Sequence, residues 1–465
     1  MRSLLLPFAC AGLLAACAVT RVAPPAPVSA PAQFKEAGPW QRATGAAAPV
    51  PDDWWTLFKD PVLDDLQRRL VIGNENLKAA VAQIASARAT LEASRSALWP
   101  TLSAGLSATR SASPDGSTGG GGRNPANSVS LSANAAWELD LWGRLAQAGT
   151  GAQAALQASE ADLAAARLSA QALLAQPYFS LRAAEGQQAL LDRSVLAYQR
   201  SLELTQARYQ GGVAARSDVL QAQTQLKSAQ AQSAESAAQR AQLEHAIAVL
   251  LGTPPSALTL ARTGQLPAAP AVPELLPATL LERRPDIAAA QQRVAAAYAQ
   301  IGVADAAFFP TLSLSASAGF RSSSLANLVS APNLFWSIGP SLAEAIFDGG
   351  QRKQASAQAR ASAEQATSGY RQAVLTALQE VEDNLVLADQ LQHEARLQQE
   401  ALESAQANLE ITLAQYRAGT VSYLNVTLAQ NTVLGSEGSL ISVRNRQLAA
   451  LNQLLKNIAG RWDRS

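Results

Sequence analysis

Residues 128–141 read Ser-Val-Ser-Leu-Ser-Ala-Asn-Ala-Ala-Trp-Glu-Leu-Asp-Leu. From Val129 to Leu141 every odd-numbered residue is apolar, and every even-numbered residue except Ala136 is polar. Because side chains alternate between the two faces of a strand, this segment would have one apolar and one polar face. Such alternation over about 9–11 residues is typical of a transmembrane β-strand. A soluble hairpin, half-packed on helices, is the alternative.

Three further segments share this pattern: 100–110, 310–320 and, less regularly, 333–347. The stretches between the paired strands, 111–127 and 321–332, are predicted to be loops. Aromatic residues cluster near the strands, as the girdles at a membrane interface require, which favours the membrane interpretation. They are Trp99, Trp137, Trp142, Phe308, Phe309, Phe335, Trp336 and Phe347.

Four strands are too few to close a barrel. An open edge inside lipid would leave backbone N–H and C=O groups unsatisfied, at a cost of several kcal/mol each. If the strands cross a membrane, the chain must therefore oligomerise. Two chains would give eight strands, whose interior fills with side chains, whereas three would give twelve strands and more room for a lumen.

The chain also contains a large internal duplication. Residues 97–103, Ala-Leu-Trp-Pro-Thr-Leu-Ser, return at 307–313 as Ala-Phe-Phe-Pro-Thr-Leu-Ser, an offset of 310 − 100 = 210 between the prolines. Tyr-Gln-Gly-Gly at 209–212 returns as Tyr-Arg-Ala-Gly at 416–419, an offset of 416 − 209 = 207. Two nearly equal offsets indicate a tandem repeat, divided here into residues 52–265 and 266–465.

Each repeat opens with apolar residues spaced by seven, which is typical of a helix that supercoils against its neighbours. An ordinary amphipathic helix in a bundle is the alternative for this segment. Helices are predicted over 75–98, 144–207, 213–252, 285–308, 350–414 and 422–459, which gives helical hairpins over 144–252 and 350–459. The spaced residues are Leu63, Leu70, Leu77, Ile84, Leu91 and Leu98, and then Leu280, Ile287, Val294, Ile301 and Phe308.

The N-terminus indicates export. Residues 1–16 combine Arg2 with an apolar stretch too short to span a bilayer, as a signal peptide does. Leu-Ala-Ala-Cys17 resembles a bacterial lipoprotein box, in which Cys17 becomes the lipidated first residue, and Ala18 then implies sorting to the outer membrane. An ordinary signal peptide followed by an incidental cysteine is the alternative. Residues 17–51 are rich in proline and alanine and are predicted to be a lipidated tether.

Composition and motifs exclude several function classes. The chain has 465 residues, a formal net charge of +1 and only 16% charged residues, so no nucleic-acid partner is expected. Its two histidines, His245 and His393, show no metal-ligand spacing, and no nucleophile motif or Walker loop is present. We therefore expect no enzyme activity, no metal and no cofactor other than the covalent lipid on Cys17.

These features together resemble the outer-membrane factor family of TolC- and OprM-type efflux channels, in its NodT-type lipoprotein branch. The resemblance covers nearly all of the mature chain. It implies a mixed α + β membrane protein, a homotrimer whose twelve-stranded transmembrane β-barrel continues into a periplasmic α-helical barrel. The motifs that carry it are Leu-Glu-Arg-Arg-Pro-Asp-Ile at 281–287, Glu-Leu-Asp-Leu-Trp-Gly-Arg at 138–144, Ile-Phe-Asp-Gly-Gly at 346–350 and the two Tyr-x-x-Gly turns.

The resemblance also implies site residues and partners. The turns at Tyr209, Gly212, Tyr416 and Gly419 would be periplasmic tips where an adaptor, or membrane fusion protein, docks. A glycine at a helix turn equally needs no functional reason, because it relieves backbone strain. An inner-membrane pump would supply the energy, and the sequence does not identify the substrate.

The resemblance places a periplasmic gate just beyond the second tip, and there this sequence departs from its relatives. Family members commonly have Tyr-Leu-x-x-Leu-Asp-Ala-Gln-Arg, whereas residues 423–431 put Leu428 at the aspartate position and Asn431 at the arginine position. Rings of Leu424 and Leu428 would close the duct by hydrophobic contact rather than by acidic side chains. Leu428 as a simple heptad contact is the alternative.

The predicted function is that of a passive exit duct in a tripartite efflux system at the outer membrane. Two alternatives remain open from the sequence. The first is the outer-membrane channel of a type I protein secretion system. The second is a lipid-anchored periplasmic coiled-coil scaffold, which accounts for the heptads but not for the four alternating strands.

Overall fold

The computed structural model describes residues 53–112, 125–270 and 283–459, together with isolated positions up to residue 51. The predicted signal peptide, Cys17 and most of the predicted tether lie outside the described residues. Most of the predicted loop 111–127 also lies outside them, as do Leu281 and Glu282 of the family motif.

Both repeats contain a helix, two strands and a pair of long helices in the same order. The first begins with a 3₁₀ helix at Trp54–Phe58, and then has α1 (Pro61–Gly73), α2 (Glu75–Ser96), β1 (Thr101–Ser111), β2 (Ala126–Leu139), α3 (Arg144–Gln210) and α4 (Arg216–Leu250). The second has α5 (Pro285–Ala306), β3 (Thr311–Ser322), β4 (Leu334–Ala343), α6 (Gln351–Ala418) and α7 (Tyr423–Ile458).

The observed elements lie close to the predicted ones. α1 was not among the predicted helices. Among the predicted elements the largest differences are four residues: α6 was predicted to end at 414 and ends at Ala418, and β4 was predicted to end at 347 and ends at Ala343. Across residues 53–112, 125–270 and 283–459, no helix combines the length and apolar character that crossing a membrane requires.

Most of the residues spaced by seven are buried. Leu63, Leu70, Leu77 and Leu91 are buried in the first repeat, and Ile287, Val294 and Ile301 are buried in the second. Their last members, Leu98 and Phe308, are exposed because α2 ends at Ser96 and α5 at Ala306, so both residues lie beyond the helix. Ile84, within α2, is only partly buried, and Leu280 lies outside the described residues. The predicted seam therefore holds for most of its members within the helices and ends where the helices end.

The four strands form one antiparallel sheet in the order β1-β2-β3-β4. Its register sets apolar residues opposite apolar residues: Leu131 on β2 pairs with Leu106 on β1 and with Phe320 on β3. On the other face Asn134 pairs with Ser103 and Ser317. The sheet thus has one face that is apolar except at the end that carries Arg110, and one face made mainly of hydroxyl, amide and glycine groups, as the alternation predicted.

The pairing of β2 with β3 joins the two repeats. β1 and β4 lie at the two ends of the sheet, so each has one edge without a strand partner in the described part of the chain. Such edges present a row of unpaired backbone donors and acceptors. The sheet is therefore complete in its middle and open at both sides.

The chain divides into two compact units, and each of them draws on both repeats. The first comprises Gln83–Glu160 and Ala289–Tyr370 besides N-terminal residues, and it contains the sheet. The second comprises Val28–Ala82, Ala161–Ala288 and Arg371–Ser465. The compact units therefore do not coincide with the sequence repeats 52–265 and 266–465.

The largest hydrophobic core lies in the second unit. It is built around buried aromatic side chains: the ring centroids of Phe58 and Phe179 are 4.8 Å apart, and Trp54 meets Trp55 edge to face. Leucines of α1, α3 and α7 complete it, including Leu66, Leu174 and Leu454. Burying one such side chain contributes about 1.5–3 kcal/mol.

We expect Ala316→Arg to prevent stable insertion and its neighbour Ser317→Arg to be tolerated. Ala316 is on the apolar face between Ala135 and Ile338, while Ser317 is on the polar face between Asn134 and Ser337. An arginine in the hydrocarbon costs about 2–4 kcal/mol near the bilayer midplane. Urea unfolding of both variants in lipid vesicles measures the difference, and equal stabilities would contradict a membrane-facing apolar surface.

Candidate functional site

The two turns from strand to helix are fixed by aspartates. Asp140 accepts hydrogen bonds from the backbone N–H groups of Leu145 and Ala146, at 3.1 and 2.8 Å, and so caps the start of α3. A carboxylate suits this position because it satisfies free N–H groups and the positive end of the helix dipole. This explains the aspartate in the family-like motif at 138–144.

The corresponding turn before α6 uses Asp348. It accepts hydrogen bonds from the N–H groups of Gly350 and Arg352 at 2.9 and 3.1 Å, and from the Arg352 side chain at 2.7 Å. Hydrogen bonds from Arg352 and from the Gly350 N–H lower the pKa of Asp348 to about 2. Gly349 and Gly350 have φ of +61° and +91°, which residues with a side chain rarely adopt.

Aromatic side chains hold the strand ends beside these turns. The indole N–H of Trp142 donates to the Pro310 carbonyl at 2.6 Å, and its ring stacks on Phe309 at 5.0 Å. The indole of Trp137 donates to the Leu98 carbonyl at 2.9 Å. A buried or interfacial tryptophan keeps an apolar body with a satisfied N–H in this way.

The first predicted tip ends α3 with a Schellman turn. The Gly212 N–H donates to the Tyr209 carbonyl at 3.0 Å, and the Val213 N–H donates to the Arg208 carbonyl at 2.9 Å. Gly212 has φ +74°, the left-handed conformation that this turn needs. Tyr209 and Gly212 therefore lie together at the connection between α3 and α4.

The second predicted tip repeats this geometry at the end of α6. The Gly419 N–H donates to the Tyr416 carbonyl and the Thr420 N–H to the Gln415 carbonyl, both at 3.0 Å. Gly419 has φ +80°. Tyr416 and Gly419 thus occupy the same turn positions as Tyr209 and Gly212.

The two tyrosines nevertheless differ in environment. Tyr209 is 46% exposed, whereas Tyr416 is 3% exposed. Tyr416 packs edge to face on Tyr423 at 5.6 Å, and its hydroxyl lies 3.4 Å from that of Thr205. Burial raises the pKa of Tyr423 to about 12. Only the first tip therefore presents its tyrosine on the surface of the single chain.

Arg208 connects the two tips. Its guanidinium lies 4.7 Å from the centre of the Tyr416 ring and donates to the Tyr416 carbonyl at 2.8 Å. It therefore supplies both a cation–π contact and a positive charge at the C-terminus of α6. The second repeat has Gln415 at the corresponding position, 415 − 207 = 208, so this contact has no reciprocal copy.

The predicted gate residues lie on one face of α7. Leu424 and Leu428 are 50% and 56% exposed, whereas Tyr423, on another face of the helix, is fully buried. Asn431 continues the exposed face, and its side-chain oxygen accepts a hydrogen bond from the Gln225 amide. The structure thus brings Leu424, Leu428 and Asn431 together as a surface stripe.

A buried ionic cluster, which the sequence did not reveal, holds residues 260–264 against α3 and α4. Glu185 accepts hydrogen bonds from Arg182 at 2.9 Å, from Arg240 at 3.0 Å and from the Thr263 N–H at 3.0 Å. Burial alone would raise the pKa of Glu185, but the Thr263 N–H and Arg182 lower it below its usual value. Charges at ordinary helix spacings gave no signal that these side chains are buried.

Arg284 explains part of the motif at 281–287. Its guanidinium donates to Asp286 at 2.7 and 3.0 Å and to Glu380 of α6 at 3.0 Å. Asp286 also accepts from the Ile287 N–H at 3.0 Å. The motif therefore fastens the start of α5 to α6.

Among the described residues, no three His, Cys, Asp or Glu side chains form a group that could hold a metal ion.

A four-stranded sheet with one apolar face, continued by two pairs of long helices, defines a subunit of an outer-membrane channel. Residues 67–253 and 276–460 each match the model of the outer membrane efflux protein family. The chain belongs to the outer membrane efflux protein family. The predicted family, fold class and outer-membrane location are confirmed, and the protein is an outer-membrane efflux channel.

Comparison with individual proteins agrees over nearly the whole chain. It is 30% identical to the pyoverdine export outer membrane protein OpmQ of Pseudomonas aeruginosa, over 99% of this chain and 97% of that protein. It is 31% identical to the antibiotic efflux pump outer membrane protein ArpC of Pseudomonas putida, over 95% and 91%. The solved structure of the outer-membrane channel OprN superposes with a TM-score of 0.87 at 30% identity, covering 95% of this chain and all of that one.

Proposed function

We propose that three copies of this chain form a passive exit duct for solutes delivered by an inner-membrane pump through a periplasmic adaptor. The observation that carries the proposal is the sheet, with its apolar face and its two open edges. In lipid these edges must be paired, and β1 of one copy can pair with β4 of the next. Three copies supply twelve strands and a lumen, whereas eight strands would be filled by their own side chains.

In this proposal the duct neither supplies the energy for transport nor selects strongly among substrates. The sequence contains no Walker loop, so the driving force must come from another protein. Relatives that are similarly identical to this chain are named for pyoverdine export, antibiotic efflux and solvent efflux. That range supports a wide passage whose substrates are selected by the pump.

We assign adaptor docking to the tips and closure to the stripe on α7. Tyr209 and its neighbour Val213 are exposed and lie at a rigid turn, which suits a contact with another helical protein. Leu424 and Leu428, brought together by threefold symmetry, would form an apolar constriction that disfavours water and ions. The lipid on Cys17 would anchor the duct, and mass spectrometry of the mature N-terminus tests for it.

Subunit count and conductance test the duct. The purified full chain should be a trimer by light scattering and should produce channel events, small or rare if the gate rests closed, in planar bilayers. These results are expected because only an oligomer can satisfy the β1 and β4 edges in lipid. A soluble monomer that never conducts would contradict the proposal and favour a periplasmic scaffold.

Photo-cross-linking tests the tips. A photoreactive amino acid replacing Tyr209 should capture a periplasmic adaptor in the native host, because this side chain is exposed. The same replacement of Tyr416 is the matched control, and it should give no adaptor because that position is buried beneath Arg208 and Tyr423. Capture from position 416 alone, or only of other copies of this chain from position 209, would refute this assignment.

Paired substitutions of Leu428 test the gate. Leu428→Asn should raise conductance by wetting the constriction without changing its charge. Leu428→Asp should raise conductance too and should also increase the permeability of potassium relative to chloride by at least about twofold, because three carboxylates would surround the passage. Single-channel recordings in a salt gradient measure both quantities. Unchanged conductance and selectivity in both variants would mean that Leu428 is only a helix contact.

A further inference from the structure

The polar face of the sheet is almost free of charge. The four described strands contain three charged residues: Arg110, Glu138 and Arg321. Arg110 pairs with Asn127 at the end of β1. It lies on the same side of that strand as Leu106, so it belongs to the apolar face. The rest of the polar face consists mainly of serines and glycines, and serine hydroxyl groups hydrogen-bond across the strands, as between Ser317 and Ser337.

Of the two charges that the described strands place on that face, Glu138 has an ionic partner, whereas Arg321 has none among the described residues. Glu138 forms a salt bridge of 2.8 Å with Arg144 and is therefore locally neutralised. Arg321 is on β3 opposite Ser130, in the row that also contains Ser107. It is exposed on the polar face, near the end of the sheet where the β3–β4 loop lies.

Phe335 contacts the Arg321 guanidinium. Phe335 is on β4 opposite Gly319, two residues along β3 from Arg321. The Arg321 guanidinium carbon lies 5.2 Å from the centre of this ring, within the range of a cation–π contact. The contact joins diagonal neighbours on adjacent strands and keeps the charge on the polar surface.

We propose that Arg321 and Phe335 form a cationic ring at the outer mouth of the duct, which favours the exit of anionic solutes over cationic ones. The proposal rests on the proposed trimeric duct, because there the polar face lines the lumen and threefold symmetry repeats each pair three times. The β3–β4 connection is the longer type of loop that lies on the external side of such barrels. Along the described strands, the other charge on the polar face, Glu138, is paired with Arg144, so the three positive charges of the ring are not offset by a carboxylate on these strands.

Reversal potentials of the full chain in planar bilayers, recorded in a potassium chloride gradient at low ionic strength, test the ring. Arg321→Gln should lower the ratio of chloride to potassium permeability by at least about twofold, and Arg321→Glu should lower it further. The reason is that a fixed charge close to the axis of the passage attracts or repels each permeating ion electrostatically. Arg110→Gln is the matched control: it removes an arginine from the same end of the sheet but from the apolar face. It should leave the ratio unchanged.

A second measurement does not require the gate to open. Ser130→Cys places a thiol opposite Arg321 on the polar face, where charged thiol reagents added from outside should reach it. The ratio of the reaction rate of an anionic methanethiosulfonate to that of a cationic one should be higher in Ser130→Cys alone than in Ser130→Cys combined with Arg321→Gln. Leu131→Cys, on the apolar face, should stay unmodified by both reagents.

The outcomes separate the ring from the duct. If the wild-type chain conducts but the Arg321 variants have the same reversal potential and the same ratio of anionic to cationic reagent rates, the proposed cationic ring is wrong and the proposed duct stands. If Arg110→Gln changes the selectivity as much as Arg321→Gln, the assignment of the lumen-facing side is wrong. If neither the wild-type chain nor any variant conducts and both thiols behave alike, the duct fails and the ring fails with it.

Discussion

The structure depends on one constraint: in a bilayer every backbone donor and acceptor of the sheet must find a partner. The pairing of β2 with β3 meets this constraint between the two repeats, and so it ties the halves of the duplication into one sheet. Within the described residues, it leaves one edge of β1 and one edge of β4 without a strand partner. Association of copies thus follows from backbone hydrogen bonding, before any side chain is considered.

The same constraint explains why strands and helices are joined so rigidly. A strand that leaves the hydrocarbon must satisfy its last groups while a long helix begins with free N–H groups. Asp140 and Asp348 meet the second need by capping α3 and α6, and Trp142 fastens the neighbouring strand end through the Pro310 carbonyl. Two of the family-like motifs, at 138–144 and 346–350, therefore serve to turn a strand into a helix.

Sequence periodicity predicted the elements because alternation and heptads are local signals. The face of Leu131 follows from its odd-numbered place in the alternation, although its partners on β1 and β3 do not, and the burial of Leu63 and Ile287 follows from the seven-residue spacing. Burial of charge is different, because it depends on which distant segment covers a helix. Nothing near Glu185 distinguishes it from a solvated helix residue until residues 260–264 are placed over it.

The tips show how duplication produced two unlike ends from one turn. Both keep the Schellman hydrogen bonds, because a glycine in the left-handed conformation is a backbone requirement that either repeat must meet. Their side chains diverged: Arg208 of the first repeat covers Tyr416 of the second, while Tyr209 stays exposed. One tip thus became the support for the other, and in a symmetric assembly the two kinds would alternate around the end of the duct.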